Sequence, residues 1–373
     1  MKVCLVLTHQ CNLACSYCYA GEKFNRHMSM DTAWESLKLL LSGSGDLELS
    51  FFGGEPFLRF DTMVAVSRAA RKAAALAGRK LTLQVTTNAT ILEEKQLRFL
   101  EEYQVWTAFS VDGPEEVQDL ARPFVNGRGS GKLVWRNIER ALERLDRVHV
   151  LMVVAPDTVG SLLPAVERLY RAGCSRISLL PDLEADWSKA REQLEEIWPR
   201  LARIALLSML TEQPLHMAPF SSYFPSSDGF SGEAGGQCDF GGDQVTIAPS
   251  GNLYPCARLV GADRRPEVRV GSLKSGYDKG AAVELKQCGE KSLHQGGCGQ
   301  GGCQCIALMP GDTRTQLDWS AQFARWTSAA SRPVAKEIEE ALGARVSNRT
   351  EPDEVHFVQA DSEISPSYRV IFG

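Results

Sequence analysis

The sequence lacks the features that mark exported, membrane-spanning or nucleic-acid-binding chains. Its start, MKVCLVLTHQC, has no cationic region, long apolar stretch or small-residue cleavage site of a secretory signal. No window offers eighteen uninterrupted apolar residues, so no membrane span is expected. Positive charge is in deficit: 41 Lys and Arg face 46 Asp and Glu, a formal net charge of −5. A mainly electrostatic nucleic-acid binder would need a strongly basic face, and pairs such as Arg264–Arg265 read as solvated surface. There is no internal repeat beyond an alternation of strands and helices. Without an export signal, the eleven cysteines read as metal ligands or redox groups before disulfides, and the expected location is cytoplasmic.

What is present is a chain of 373 residues, 44% apolar and 23% charged, enough for one large or two moderate domains. Six apolar, β-rich segments are expected near 2–8, 47–52, 80–87, 105–111, 147–154 and 175–180. Helical patterns fall between them near 30–41, 60–77, 93–103, 132–145 and 160–172, with another near 187–210. Several strands are apolar almost throughout, which fits a sheet covered on both faces. The alternation implies right-handed βαβ units and a parallel sheet. Six units suffice for a partial (β/α)6 barrel, and a closed eight-unit barrel would need two more.

The pattern then breaks. Residues 211–237 are rich in Pro, Ser and Gly and read as a connection or substrate-facing loop. From Cys238 to Asp312 the chain is glycine-rich with six cysteines, and its apolar periodicity is too weak for an independent core. Bound metal is expected to substitute for one. A helix follows near 317–342, and the segment 313–373 ends in the strand-like Tyr368–Phe372.

Cys11, Cys15 and Cys18 form a C-x3-C-x2-C run directly after the first strand. Three close thiolates hold three irons of a [4Fe–4S] cube and leave the fourth open to another ligand. At this cysteine content the spacing arises by chance about 0.01 times per chain. The alternatives are a zinc site short of one ligand, or cysteines buried by coincidence. Phe52-Gly53-Gly54-Glu55-Pro56 ends the second strand, Thr86-Thr87-Asn88 the third and Ser110-Val111-Asp112-Gly113-Pro114 the fourth.

The cysteine run resembles the signature of the radical S-adenosylmethionine (SAM) superfamily, and the strand ends resemble its SAM-contacting segments. The resemblance implies a reduced cluster that cleaves SAM to a 5′-deoxyadenosyl radical, which abstracts hydrogen from substrate. It also implies SAM contacts at Gly53, Gly54, Glu55, Asn88, Ser110, Asp112 and Arg122. Glu55 would pair with the SAM ammonium, Asp112 with ribose hydroxyls and Arg122 with the SAM carboxylate. Tyr17 is placed to shield the cluster or pack on adenine, and simple packing accounts for it equally.

Cys238, Gly251 and Cys256 fit the C-x9–15-G-x4-C start of the SPASM or twitch extension in radical SAM maturases. Cys288, Cys298, Cys303 and Cys305 follow at spacings that differ from the full SPASM pattern. The resemblance, which runs from the first strand through Asp312, therefore implies one or two auxiliary [4Fe–4S] clusters, with structural zinc the alternative. The expected division is a barrel over 1–210, a connection over 211–237, an auxiliary iron–sulfur domain over 238–312 and a C-terminal helix and strand over 313–373. Cys4 and Cys174 fit neither group and read as small buried residues, and His294 as surface.

The closest pattern is that of maturases that oxidise or crosslink side chains of ribosomally made peptides. A precursor peptide and an electron donor such as flavodoxin or ferredoxin are the implied partners. Because the first strand begins at residue 2, leader recognition is expected from 313–373, from 211–237 or from a separate protein. Anaerobic sulfatase maturases carry an aspartate directly after the cysteine of G-x4-C, where this chain has Ala257. Tyr254, Asp239 and Asp243 are the nearby substitutes for that base, each readable as structural, and no catalytic side chain is assigned. Sulfatase maturation and oxidation of a small metabolite are the remaining alternatives.

Overall fold

The computed structural model describes residues 1–224, 240–295, 304–309 and 311–347. Strand–helix alternation fills the first part of the chain: β1 (Lys2–Thr8), α1 (Met30–Ser42), β2 (Leu47–Gly53), α2 (Phe60–Leu76), β3 (Leu81–Thr87) and α3 (Glu94–Glu102). It continues with β4 (Trp106–Ser110), α4 (Glu115–Ala121), α5 (Gly131–Leu142), β5 (Val148–Val154), α6 (Leu162–Arg171), β6 (Arg176–Pro181) and α7 (Arg191–Ser208). Then come β7 (His216–Ala218), β8 (Gln244–Ile247), β9 (Leu253–Tyr254), a small antiparallel pair β10 (Gly271–Ser272) and β11 (Gly276–Tyr277), α8 (Lys279–Gln295) and α9 (Thr313–Ser347).

Nine strands form one sheet in the order β7-β6-β5-β4-β3-β2-β1-β8-β9. Every pair is parallel except β8 with β9, so the chain is an α/β protein with a largely parallel sheet. Each βαβ passage returns to the neighbouring position, which places all carboxyl ends of β1–β6 along one edge. Leu5, Phe51, Val85, Phe109, Val150 and Ile177 carry the core across the sheet and are fully buried. Each contributes about 1.5–3 kcal/mol relative to exposure. Local signals set the helix starts: the Ser29 hydroxyl accepts from Thr32 N, and Glu93 with Gln96 makes a capping box.

Two expectations change here. Residues 211–224 do not form only a connection, because His216–Ala218 pairs in parallel with β6 as a seventh strand. The stretch after residue 238 is not coreless among its described residues. Phe240, Ala248, Tyr254, Leu259, Val260, Val268 and Cys305 bury one another beside Val6 of β1. In that stretch β8 extends the main sheet beside β1, and α8 supplies a helix that the glycine content obscured. The C-terminal helix packs on α7: Trp198 donates to the Thr327 hydroxyl at 3.0 Å, and Phe323 meets Trp187 and Trp198 edge-on at 4.8 and 5.6 Å. The terminal strand expected at Tyr368–Phe372 lies outside the described residues. No helix is long and apolar enough to cross a membrane among the described residues.

Candidate active site

A cavity of about 210 Å³ opens at the carboxyl ends of the parallel strands, where open α/β sheets bind ligands. Its lining includes Cys11, Cys15 and Cys18, then Gly53 and Gly54 at the end of β2, Asn88 after β3, Ser110 at the end of β4 and Arg122 after α4. The sequence-predicted residues from the separate strand ends thus converge. Tyr17 lines the same cavity.

The cysteine loop is held from both sides. Gly54 N donates to Thr8 O at 2.8 Å and Glu55 N to Gln10 O at 2.9 Å, tying the loop to the end of β2. This approach leaves no room for a side chain. A Cβ on Gly53, where φ is +137°, would lie 2.4 Å from Thr8 O, and one on Gly54 would lie 2.1 Å from Gln10 O. The glycines are therefore required by the cysteine loop itself. On the other side Ala14 N donates to Pro123 O at 2.8 Å and Val125 N to Asn12 O at 3.1 Å.

The sulfurs sit among donors. Leu13 N lies 3.4 Å and Asn88 Nδ2 3.7 Å from Cys11 Sγ, and Lys23 Nζ lies 2.8 Å from Cys18 Sγ. Burial pushes the Cys11 thiol up, and pushes Cys15 up to about 11 although Arg122 opposes it, so metal binding there must displace protons. Three thiols lining one cavity, with N–H groups at Cys11 and Cys18, have the donor chemistry that an iron–sulfur cluster takes.

Glu55 and Asp112 stand behind the cavity wall. The Glu55 carboxylate accepts from Phe57 N (3.0 Å), the Thr87 hydroxyl (2.8 Å) and Asn88 N (2.8 Å), joining the ends of β2 and β3. Burial outweighs these bonds and raises its pKa to about 7. Asp112 takes Arg122 in a bidentate pair at 2.8 and 2.9 Å, accepts from Val153 N at 2.9 Å, and is bonded by the Tyr17 hydroxyl. Burial works against the Arg122 charge, but Asp112 more than offsets it and the pKa is raised. Both Asp112 oxygens are thus engaged by the protein. The Asn88 amide also bonds Asn12 and Thr90, a positioning task the sequence did not disclose.

The second group of cysteines is only partly described. Cys256 packs against the apolar cluster containing Cys305, whereas Cys288 is exposed on α8. Cys238, Cys298 and Cys303 lie outside the described residues, as does Asp239. Tyr254 is fully buried and donates to Asp263 at 2.7 Å, and neither it nor Asp243 lines the cavity. Cys174 is buried as expected, while Cys4 is half-buried. Sequence reading missed Arg258 beside Tyr19 and the far end of the cavity, formed by Leu180–Glu184 at the end of β6, Ile306, Met309 and Gln316. The position of 180–184 after a strand was the available signal.

An open α/β sheet with a three-cysteine loop at its first strand end defines the class, and comparison with known proteins gives the family. Residues 5–179 match the model of the radical SAM superfamily. That stretch is a radical SAM domain, and the chain is an enzyme whose cofactors are SAM and a [4Fe–4S] cluster. It is 33% identical to an uncharacterized protein of Methanocaldococcus jannaschii over 34% of this chain, spanning 43% of that relative. It is 25% identical to the serine-type anaerobic sulfatase-maturating enzyme of Klebsiella aerogenes over 77% of this chain and 76% of that enzyme. Identity to the PqqA peptide cyclase of Xanthomonas euvesicatoria pv. vesicatoria is 26%, covering 84% of this chain and 86% of the cyclase. Among solved structures, anSMEcpe with bound AdoMet and the Cp18Cys peptide has the same fold, with a TM-score of 0.70 at 18% identity, covering 91% and 99% of the two chains.

Proposed function

We propose that this enzyme is a radical SAM maturase that oxidatively modifies or crosslinks side chains of a ribosomally made peptide. The carrying observation is the cavity that joins three thiols, Cys11 and Cys18 of them flanked by donors, to the glycine, asparagine and arginine positions at successive strand ends. Likeness over most of the chain to a sulfatase-maturating enzyme and to a peptide cyclase supports a peptide or protein substrate. In this reading residues 1–210 form a partial (β/α)6 barrel, 211–237 connect, 238–312 carry a SPASM/twitch-like auxiliary centre, and 313–373 complete the chain. The order of β1–β6 supports the barrel, although the direct pairing of β8 with β1 makes the two units share one sheet.

The bound cofactors supply reductive cleavage of SAM to a hydrogen-abstracting radical. The chain's own residues bind and orient. Cys11, Cys15 and Cys18 would hold the cluster, with Leu13 N and Asn88 donating to Cys11 and Lys23 to Cys18. Gly53, Gly54, Asn88 and Ser110 would wall the SAM site, and Tyr17, between two of the cysteines, would shield the cluster. Arg122, paired with Asp112, would hold the SAM carboxylate, so Asp112 would act through Arg122 rather than on ribose. Glu55 has one acceptor position left on Oε2, directed in this reading to the SAM ammonium. Cys238, Cys256, Cys288, Cys298, Cys303 and Cys305 provide one or two auxiliary clusters, with exposed Cys288 the least suited. A flavodoxin or ferredoxin supplies electrons, and a separate protein or a terminal segment presents the leader.

Ala257, and the absence of Tyr254 and Asp243 from the cavity lining, disfavour base-assisted sulfatase maturation. The test is mass spectrometry of a peptide encoded beside the gene after co-expression. Loss of two hydrogens in the presence of the enzyme is expected, and an unmodified peptide beside a SAM-cleaving enzyme would overturn the reading.

A further inference from the structure

The cavity does not end at the SAM-binding residues. Its far end is built by the segment after β6 and the first turn of α9, which Leu183, Ile306, Leu317 and Ala321 hold together as a small apolar cluster. Gln316 lines this end and is only 5% exposed. Its side-chain amide has no hydrogen-bond partner among the described residues, although its backbone N donates to Asp312 O at 3.2 Å. Facing the cavity, that amide can exchange solvent for the polar groups of a ligand. A primary amide offers one acceptor and two donors, the pattern that pairs with a peptide group.

Charge points the same way. Asp182 and Glu184 line this end, and neither forms an ion pair among the described residues. Asp182 Oδ1 accepts from Glu184 N at 3.0 Å, which fixes the turn and keeps both carboxylates on one short segment. The cations of the cavity belong to its thiol end: Lys23 contacts Cys18, Arg258 lies 4.9 Å above the Tyr19 ring, and Arg122 is paired with Asp112. The lining therefore runs from cationic beside the cysteines to anionic beside α9.

We infer that the β6–α9 end of the cavity is a peptide subsite, in which Gln316 pairs with a peptide amide and Asp182 and Glu184 select a Lys or Arg beside the modified residue. This rests on the peptide-maturase reading and adds a sequence requirement to it. Carboxylates at a cavity mouth discriminate by sign, attracting a cation and rejecting an anion.

The test is retention of a capped random heptapeptide library on immobilised, anaerobically reconstituted enzyme with SAM, with retained peptides sequenced by mass spectrometry. Wild-type enzyme is expected to enrich Lys or Arg about tenfold over Glu at one position, an enrichment that weakens with salt. The Asp182→Asn/Glu184→Gln double variant keeps the Oδ1 acceptor of the turn and is expected to retain peptides without that enrichment. Gln316→Leu is expected to retain several-fold less of every peptide, basic or neutral. Iron content and far-UV circular dichroism matching wild type establish that each variant is folded. Retention without a basic preference, or a preference that survives in the double variant, would overturn the inference and leave the peptide reading standing. No retention of any peptide by the wild-type enzyme would overturn both.

Discussion

Replacing Gly54 with alanine tests whether the cysteine loop and the end of β2 are one rigid unit. Gly54 has an ordinary backbone conformation, so any effect is steric. The added methyl would lie 2.1 Å from Gln10 O, 2.5 Å from Gln10 C and 3.0 Å from Cys11 N. All three are backbone atoms, so no rotamer change relieves the clash. Restoring a 3.4 Å contact moves the Gln10–Cys11 peptide by about 1.3 Å, carrying the first cluster ligand with it. A misplacement of about 1 Å in a reacting constellation costs about 100-fold in rate. Gly54→Ala is therefore expected to lower reductive SAM cleavage, assayed as 5′-deoxyadenosine by chromatography, by about 100-fold or to lose iron outright. Gly78→Ala is the control: its φ is +61°, but nothing lies near its Cβ position, at the end of α2 away from the site. That variant is expected to keep its iron and its rate. A Gly54→Ala enzyme with full iron and at least half the wild-type rate would refute the reasoning.

Three further outcomes are expected. Asp112→Asn removes one charge of a buried pair and leaves Arg122 uncompensated, so denaturant unfolding should show a loss of about 3–5 kcal/mol, and a loss below about 1 kcal/mol would contradict the geometry. The Glu55 pKa is raised from 4.5 to about 7, so its share of apo-protein stability is full below pH 4.5 and is lost as pH rises through 7, up to about 3 kcal/mol in all. A ligand cation favours the ionised form, so SAM binding followed by equilibrium dialysis should tighten between about pH 6 and 8 and become flat in Glu55→Gln. Lys23→Met removes a cationic donor 2.8 Å from Cys18 Sγ and should move the cluster midpoint to a more negative potential in an electron paramagnetic resonance titration. An unchanged midpoint would remove Lys23 from the cluster environment.

The six strands and the helices between them were legible because their periodicities are strong. The alternation in β5, for example, reappears as alternating burial from Val148 to Val154. The loop of Cys11, Cys15 and Cys18 was legible from spacing alone. Less visible were elements defined by their partners. The strand His216–Ala218 has three residues and exists because β6 offers an edge. The segment Gln244–Ile247 reads as part of a cysteine-rich unit, yet it pairs with β1, distant in sequence. Helix α8 was hidden by a weakly apolar face, with Ala282 its most buried described side chain. At the site, residue types were legible but their engagement was not. Asp112 and Glu55 read as ligand contacts, but the sequence did not show that Arg122, Tyr17 and Val153 engage both Asp112 oxygens, or that Phe57, Thr87 and Asn88 leave Glu55 one acceptor position on Oε2. Asp182 and Gln316 belong to no motif and meet only in three dimensions.

The central claim is that Cys11, Cys15 and Cys18 hold a cluster that cleaves SAM. Its most direct test is 5′-deoxyadenosine formation by the anaerobically reconstituted, dithionite-reduced protein, compared with the Cys11→Ala, Cys15→Ala and Cys18→Ala variants. Formation by wild type and its loss in every variant is the expected result. No 5′-deoxyadenosine from an iron-loaded wild-type protein, or undiminished formation by any of the three variants, would contradict the claim.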